Sequence, residues 1–267
     1  MKQDNYLELR NKTVTKANEL IQKSRFNLTL QQQKIVLYLI AQINPFDEDF
    51  KLYEFSIVDF CRVCGIDESS GKNYKDLKQA IKDIADKSLW VELQGKETLL
   101  RWIEKPYINK EQGTIEIRLD KDMKPFLLQL KQNFTRYELL WTLRFKSKYT
   151  TRLYELIKSI HYDELRTYTR EYTLDEIRRL LGAENYKTYQ SLKARAIMPA
   201  VEEINRYSDK NLSYEPIKRG KAVVKIAFTI SSKDVIERLK LEDETEKELG
   251  LNQLTLWDEL ERNGHEQ

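Results

Sequence analysis

The hydrophobic and polar positions of this chain follow helical and strand spacings, and the same succession of spacings occurs twice. Apolar residues recur at three- and four-residue intervals over Leu30–Ile43, which predicts an amphipathic helix. Thr150–His161 shows the same spacing, and Leu37-Tyr38 matches Leu153-Tyr154 at a shift of 116 residues. The two segments are therefore predicted to be corresponding helices of two related halves.

A second pair of matching segments has the pattern of a strand followed by a short helix. Phe55–Asp67 corresponds to Tyr172–Glu184, with apolar residues, an acidic residue and a glycine at equivalent positions. The glycines, Gly65 and Gly182, are placed to end the helices, because glycine readily adopts the left-handed conformation of a helix C-cap.

A longer helix and a β-hairpin complete each half. The helices are predicted over Asn73–Ser88 and Tyr186–Ile204, where apolar residues share one helical face. Two β-rich segments with a glycine near their connection follow each helix, which predicts hairpins. These segments are Leu89–Leu93 with Thr98–Ile108, and Leu212–Ile217 with Ala222–Ile230.

Each half thus has the order helix, strand, helix, turn, helix and hairpin, which is the plan of a winged helix. We predict an α+β fold of two tandem winged-helix domains related by internal duplication, although two α+β halves can also resemble each other by chance. The predicted limits are 1–130 and 131–232 for the domains and 233–267 for an acidic tail. The segment 120–148 is aromatic and basic with few Gly, Ser or Pro residues, so it is expected to pack rather than to form a flexible linker.

The charge of the chain is unevenly distributed. The net charge of +3 combines +10 over residues 1–233 with −7 over residues 234–267. A basic body favours a polyanionic partner such as nucleic acid, and the alternative is a solvated surface with a solubilising tail. No segment has the character of a membrane span or a signal peptide, so no membrane association and a bacterial cytoplasmic location are expected.

The second helix of a helix–turn–helix enters the major groove of DNA. In the second half, that helix is predicted to place Arg195 opposite its apolar face, and a guanidinium matches the O6 and N7 acceptors of guanine. Pro199 is expected to kink or interrupt this helix. Further candidates for contacts with bases or phosphates lie on the helix and the hairpin: Lys187, Gln190, Ser191, Lys193, Ala194, Lys218, Arg219 and Lys221.

The corresponding helix of the first half carries lysines but no arginine. Lys72, Lys75 and Lys78 are expected to contact the DNA backbone, because lysine is a point charge without the bidentate geometry of arginine. The same surface is also a candidate for dimerisation.

Patterns that resemble catalytic or metal sites are incomplete. Residues 65–73 resemble a phosphate-binding loop, but the glycines are too far apart and Asn73 replaces the required Ser or Thr. Cys61 and Cys64 have a spacing found in zinc sites, but the chain has no second cysteine pair and both histidines are distant, so buried cysteines are expected. We therefore predict a protein without a catalytic site, a metal or a cofactor.

Three segments resemble a known family, the iteron-binding plasmid replication initiators (Rep) with two winged-helix domains. They are Phe134–Glu155, Leu192–Asn205 and Leu212–Lys221, within a resemblance that extends approximately from Asn18 to Ser231. The resemblance implies binding to repeated sites (iterons) in double-stranded DNA at a plasmid origin, opening of an AT-rich region and recruitment of host DnaA and the replicative helicase. It also implies that monomers initiate replication and that dimers repress the protein's own gene.

The acidic tail contains a short peptide that resembles the β sliding clamp-binding peptide of bacterial replication proteins. Gln253, Leu254, Leu256 and Trp257 have the required characters, although the usual aromatic residue is phenylalanine and Thr255 stands in place of serine. The alternative is an amphipathic terminal helix, because leucines of this region and Trp257 also share one helical face.

Two other functions fit parts of the sequence. A winged-helix transcriptional repressor would bind an inverted repeat as a dimer through similar residues. A rolling-circle nicking enzyme would also act at a plasmid origin, but it needs a metal held by paired histidines, and the chain has no such pair.

Overall fold

The computed structural model describes residues 12–25, 27–57, 61, 71–93, 95–109 and 111–249, and for residues 71–74 and 93 it describes the backbone alone. Helices with described limits are α1 (Asn18–Lys23), α2 (Leu30–Ala41), α3 (Gly71–Asp86), α4 (Lys124–Leu127), α5 (Leu140–Leu143), α6 (Lys148–Lys158), α7 (Leu174–Leu181), α8 (Tyr189–Leu192), α9 (Met198–Tyr207) and α10 (Val235–Glu248). A π turn, Lys193–Ile197, joins α8 to α9.

The described strands are distributed over four small sheets. They are β1 (Thr13–Ala17), β2 (Ser24–Arg25), β3 (Tyr53–Ser56), β4 (Ser88–Leu93), β5 (Lys96–Arg101), β6 (Tyr107–Asn109), β7 (Thr114–Ile117), β8 (Phe134–Glu138), β9 (Tyr168–Thr173), β10 (Lys210–Arg219) and β11 (Ala222–Ser232).

The second half has the topology of a winged helix. Strands β10 and β11 form a hairpin, and β9 pairs antiparallel with β11, so that the sheet has the order β10-β11-β9. Helices α7, α8 and α9 connect β9 to the hairpin, and α7 and α9 pack against the sheet. The predicted order of elements in this half is confirmed.

The first half also contains a hairpin, but its strands pair differently from those of the second half. Its hairpin, β4–β5, turns at Gly95 and pairs with the short strand β2. Strand β3, the counterpart of β9, pairs instead with β7 in a separate sheet of order β3-β7-β6. Among the described elements, the duplication therefore holds for their order but not for the sheet.

The prediction of one continuous strand over Thr98–Ile108 is wrong. Strand β5 ends at Arg101, and the next strand, β6, belongs to the sheet with β7. The chain leaves the first sheet before Ile103, which forms a β-bridge with Leu119 near the end of β7. Pro106, which has no N–H for a strand ladder, directly precedes β6.

The predicted helices that lie within the described residues are present, and local capping shifts their ends; the short helix predicted to end at Gly65 lies outside the described residues. A capping box at Thr29 begins α2, which ends at Ala41, two residues before the predicted end. Helices α3 and α6 each begin and end two or three residues earlier than predicted. The helix predicted from Tyr186 begins at Tyr189, because the Thr188 hydroxyl caps its first turn.

Strand β1, strand β8 and helix α6 join the two halves. Strand β1 pairs antiparallel with β8, the strand that follows the first half. Helix α6 is buried along nearly its whole length and packs against α2 of the first half and against α7 and α9 of the second. Phe126, Trp141 and Phe145 of the joining segment are buried, so the prediction that this segment packs is confirmed.

Candidate DNA interface

Helix α7 leads into the predicted DNA-contacting helix, and its own sequence fixes both its ends. Thr173 and Glu176 form a capping box, in which the Thr173 N–H donates to the Glu176 carboxylate over 2.7 Å. At the other end Gly182 has a φ of 66°, and the Ala183 N–H donates to the Arg178 carbonyl over 2.8 Å. The predicted role of Gly182 is confirmed, whereas Gly65 lies outside the described residues.

Arg178 fixes the turn between α7 and α8. Its Nε donates to the Tyr186 carbonyl at 2.9 Å, and its Nη2 donates to the Lys187 carbonyl at 2.8 Å. Its Nη1 lies 2.8 Å from Asp175 Oδ1. The spacing of Asp175 and Arg178 is a sequence signal for the ion pair, but the two main-chain contacts have no sequence signal, and this role was not predicted.

We call the continuous segment formed by α8, the π turn and α9 the recognition helix. Its buried face consists of Leu192, Ala196, Ile197, Ala200, Val201 and Ile204. Its exposed face consists of Gln190, Ala194, Arg195, Met198, Glu202 and Arg206. The predicted apolar face is confirmed, and Arg195 lies opposite to it. Lys187, immediately before the helix, is also exposed.

Two predicted contact residues of the recognition helix are only half-exposed. The Ser191 hydroxyl donates to the Thr188 carbonyl at 2.9 Å, and the Ser191 N–H donates to Thr188 Oγ1 at 3.1 Å. Ser191 is therefore engaged in the helix cap, and its hydroxyl oxygen keeps only acceptor capacity for another partner. Lys193 lies beside the apolar face, as its position in the helical pattern predicts.

The recognition helix changes its winding next to Pro199. The Met198 N–H donates to the carbonyl of Lys193, five residues earlier, whereas an α-helix would use the carbonyl four residues earlier. Pro199 follows directly and has no N–H. The predicted interruption is present as a π turn within a continuous run of helical residues.

The hairpin β10–β11, the wing, extends beyond the third strand of its sheet. Strand β9 pairs with β11 only over Lys225–Ile230, so the tip of the wing is two-stranded. Gly220 has a φ of 63° in the two-residue turn, where a hairpin favours glycine. Lys218, Arg219 and Lys221 are all exposed at this tip.

Hydrogen bonds attach the recognition helix to both the wing and the start of α6. Asn205 Nδ2 donates to the Leu212 carbonyl at 2.8 Å, and the Leu212 N–H donates to Asn205 Oδ1 at 2.7 Å. The Glu203 carboxylate accepts the N–H of Lys146 at 3.0 Å and that of Ser147 at 3.3 Å. The helix and the wing are thus held in a fixed relation to each other and to the centre of the molecule.

The first-half helix α3 exposes part of the predicted lysine set. Lys75 and Lys78 are exposed, whereas the side chain of Lys72 lies outside the described residues. Lys82 pairs with Asp86 at 2.6 Å on the same surface. The contact of Lys75 and Lys78 with the DNA backbone stays a prediction.

A buried ionic cluster, the inner cluster, surrounds the middle of α6. Lys16 Nζ lies 2.5 Å from Glu155 Oε1, and the Tyr137 hydroxyl donates to the same oxygen at 2.7 Å. Arg152 Nη1 lies 3.6 Å from Glu155 Oε2. Burial alone would raise the pKa of Glu155, but the positive charges of Lys16 and Arg152 outweigh it and lower the pKa.

A second group, the outer cluster, lies where α6 meets the open end of the wing. Lys158 Nζ lies 3.2 Å from both Asp209 Oδ2 and Glu164 Oε1, and Lys210 also pairs with both carboxylates. Burial would raise the pKa of Glu164, but hydrogen bonds from Lys210 and Ser232 and the charge of Lys158 lower it to about 2.

Several sequence predictions fall on residues that are not described. The clamp-like peptide of Gln253, Leu254, Leu256 and Trp257 lies outside the described residues, as does Cys64, whereas Cys61 is buried as expected. Among the described side chains, His, Cys, Asp and Glu form no group of three that could hold a metal ion. Within the described part of the chain, every helix is too short or too polar to span a membrane.

The fold and the exposed basic groups define a tandem winged-helix protein whose second half presents a basic recognition helix and wing. Two family models match the chain, Initiator Replication protein WH1 over residues 13–158 and Initiator Rep protein WH2 over residues 173–230. The chain belongs to this family of replication initiator proteins.

The chain is also similar to characterised proteins. It is 26% identical over 226 residues to a replication initiation protein of Escherichia coli, with 81% of this chain and 69% of the relative covered. A crystal structure of the Pi initiator protein in complex with iteron DNA matches with a TM-score of 0.70 at 18% identity. That match covers 84% of this chain and 99% of the other and supports the fold.

Proposed function

We propose that this protein initiates plasmid replication by binding repeated sites in double-stranded origin DNA. The observation that carries the proposal is the exposed face of the recognition helix, where Arg195 and Gln190 lie opposite the buried residues, on a helix that Asn205 attaches to the basic wing. An arginine on an exposed recognition helix matches guanine in the major groove, and lysines on a wing suit phosphates.

Membership of the replication initiator family supports this proposal, and so does the likeness to the Pi initiator, a protein whose structure contains iteron DNA. We propose that the second half, residues 131–232, recognises the base sequence. The first half, residues 1–130, would then contact the DNA backbone through Lys75 and Lys78 or form a dimer.

The proposal includes partners and a location that follow from the family resemblance. They are a second copy of the chain for autorepression, host DnaA and the replicative helicase for initiation, and the bacterial cytoplasm, on plasmid DNA, as the place of action. In this proposal the protein acts by binding, without its own catalytic step, metal or cofactor.

The first experiment is footprinting of plasmid origin DNA with the wild type, Arg195→Ala and Arg166→Ala. Arg166 is a matched control, because it is also an exposed arginine but lies in the loop at the open end of the wing. We expect regularly spaced protection of direct repeats, lost or weakened by ~1–3 kcal/mol per contact in Arg195→Ala and unchanged in Arg166→Ala.

Other footprints would lead to other conclusions. One palindromic protected site would favour a dimeric transcriptional repressor. Metal-dependent cleavage of supercoiled plasmid would favour a nicking enzyme. Absence of sequence-specific protection would overturn the proposal.

We also propose that the tail peptide binds the β sliding clamp. A pulldown with purified clamp would compare the full chain with a Gln253→Ala/Leu256→Ala variant. The wild type is expected to retain the clamp and the variant to lose it, whereas equal retention of both, or of neither, would contradict the proposal.

A further inference from the structure

The π turn gives the recognition helix one residue more than a regular α-helical turn would have at the same place. An α-helix advances by ~100° per residue, so in a regular helix Leu192 would lie ~40° beyond Ala196, at the edge of the face formed by Ala196, Ile197, Ala200 and Ile204. Leu192 is nevertheless fully buried with them. The additional residue of the π turn moves Leu192 from the edge of the buried face towards its centre.

The additional residue also changes which main-chain groups are bonded. In an α-helix the Ala194 carbonyl would accept the N–H of Met198, but that N–H donates to Lys193 instead. The Arg195 carbonyl would accept the N–H of residue 199, but Pro199 has none. For the same reason, residue 199 cannot donate a π-type hydrogen bond to the Ala194 carbonyl, five residues earlier. Two successive carbonyls thus lose their regular helical donors at one place, and the N–H of Ala200, five residues after Arg195, is the next donor in π spacing.

These carbonyls lie in the exposed part of the helix. Ala194, Arg195 and Met198 are exposed, and Pro199 is half-buried. A carbonyl that lacks a protein donor needs another partner, because an unpaired polar group out of contact with water is costly. Water can fill that role in the free protein, and a donor of the groove can fill it in the proposed complex with DNA.

We propose that the π turn, maintained by Pro199, presents the main-chain carbonyls of Ala194 and Arg195 as acceptors for the exocyclic amino group of an adenine or a cytosine. The proposal rests on the proposed function, since it requires the recognition helix to lie in the major groove. In that groove adenine N6 and cytosine N4 are the donors, whereas guanine and thymine present acceptors there.

This contact would differ from the one predicted for the Arg195 side chain. The guanidinium is a donor and selects guanine, whereas the carbonyls are acceptors and select adenine or cytosine. Pro199 is therefore a positioning residue for base recognition, although its own side chain has no polar group to contact a base. Replacement of the Arg195 side chain would leave the carbonyl contact in place.

The test is a base-preference profile, measured by binding to a randomised DNA library, for the wild type and two variants. Pro199→Ala restores an N–H that can donate to one of the two carbonyls. Pro125→Ala is the matched control, because Pro125 is an exposed proline in the first turn of α4, where no regular helical bond is missing.

We expect Pro199→Ala to lose a preference for adenine or cytosine at one position of the site by about threefold to tenfold, as expected for one hydrogen bond. The guanine preference that Arg195→Ala abolishes should persist in Pro199→Ala. The DNA itself provides a second comparison. Two base analogues lack the amino group: purine, used in place of adenine, and 2-pyrimidinone, used in place of cytosine. Such an analogue at the affected position should weaken DNA binding by the wild type and leave binding by Pro199→Ala unchanged.

Deletion of Ala194 provides an independent variant. The deletion shortens the π turn to a regular turn and leaves Leu192 on the same face of the helix as Ala196 and Ile197. The midpoint of thermal unfolding should therefore remain close to that of the wild type. The deletion removes the Ala194 carbonyl, whereas Pro199 still leaves the Arg195 carbonyl without its regular donor. The adenine or cytosine preference should therefore disappear if it comes from Ala194 and persist if it comes from Arg195.

The outcomes are distinct. If Pro199→Ala and the deletion both keep every base preference of the wild type, the carbonyl contact is wrong while the proposed function stands. If the wild type has no base preference at all, the proposed function and this inference are both overturned.

Discussion

Lys16 on the first strand and Glu155 in the middle of α6 form a buried ion pair, with 2.5 Å between Nζ and Oε1 and 139 residues between them in the chain. Both side chains are almost completely inaccessible to solvent. The pair therefore joins the beginning of the described chain to the helix on which both halves pack.

Lys16→Met should destabilise the protein strongly. It would leave Glu155 buried with only the more distant Arg152 as a positive partner, and removal of one partner of a buried pair costs about 3–5 kcal/mol. Urea unfolding measures the destabilisation. The double variant Lys16→Met/Glu155→Gln should recover part of it, because the carboxylate left without its lysine is removed and Arg152 keeps its hydrogen bonds to the Leu180 and Ile21 carbonyls. Additive effects of the two substitutions would contradict the direct pairing.

The outer cluster predicts acid sensitivity. The folded pKa of Glu164, about 2, lies below its ordinary value of 4.5, so its ionised form stabilises the fold above that ordinary value. This contribution should disappear as the pH falls from about 4.5 towards about 2. Asp209 acts in the same direction, because the charges of Lys158 and Lys210 outweigh its burial and lower its pKa.

Urea midpoints at a series of pH values would measure this effect in the wild type and in Glu164→Gln. The variant should be less stable at neutral pH and should lose less stability on acidification. A pH dependence identical to that of the wild type would show that Glu164 is not a source of the acid sensitivity.

The wing lysines should contribute to affinity rather than to base preference. Lys218→Ala/Lys221→Ala should weaken binding to all DNA sequences and reduce the slope of log K against log salt by about 0.9 for each DNA phosphate that the variant no longer neutralises. Lys225→Ala is the matched control on the same hairpin, because Lys225 is paired with Glu171 at 3.0 Å. A changed base preference with an unchanged salt slope would be incompatible with phosphate contacts.

Arg178→Ala should destabilise the second half without removal of any core side chain. It would release the carbonyls of Tyr186 and Lys187 and the carboxylate of Asp175, with a cost of about 1–3 kcal/mol. Arg178→Lys should not restore stability fully, because an ammonium cannot reproduce the planar fork. Arg179→Ala, one residue further along α7, is the control in urea unfolding, and equal effects at both positions would argue against the turn contacts.

The sequence was informative where a local rule decides the structure. The spacing of Ala196, Ile197, Ala200 and Val201 predicted the buried face of the recognition helix, because helical periodicity alone determines that face. The left-handed conformations of Gly182 and Gly220 followed from their positions at a helix end and a hairpin turn.

The features that were not predicted depend on non-local contacts or on departures from regular geometry. The pairing of β3 with β7 rather than with the hairpin depends on strands distant in sequence, which no local pattern specifies. A projection at ~100° per residue cannot contain a π turn, although Pro199 indicated where the helix would change. The contacts of Arg178 with main-chain carbonyls could not be predicted, because every residue type has a carbonyl that can accept such a hydrogen bond.

The burial of α6 has a consequence for the length of DNA that the protein can occupy. This helix packs on both halves, and its Glu155 forms a buried ion pair with Lys16 of the first half. Movement of one half against the other would therefore break a buried ion pair. The distance and rotation between α3 and the recognition helix are thereby set by the protein interior. If α3 contacts DNA as proposed, a bound site must match that separation both in base pairs and in rotation about the DNA axis. The protein would then select DNA by the spacing of two contact regions as well as by base sequence.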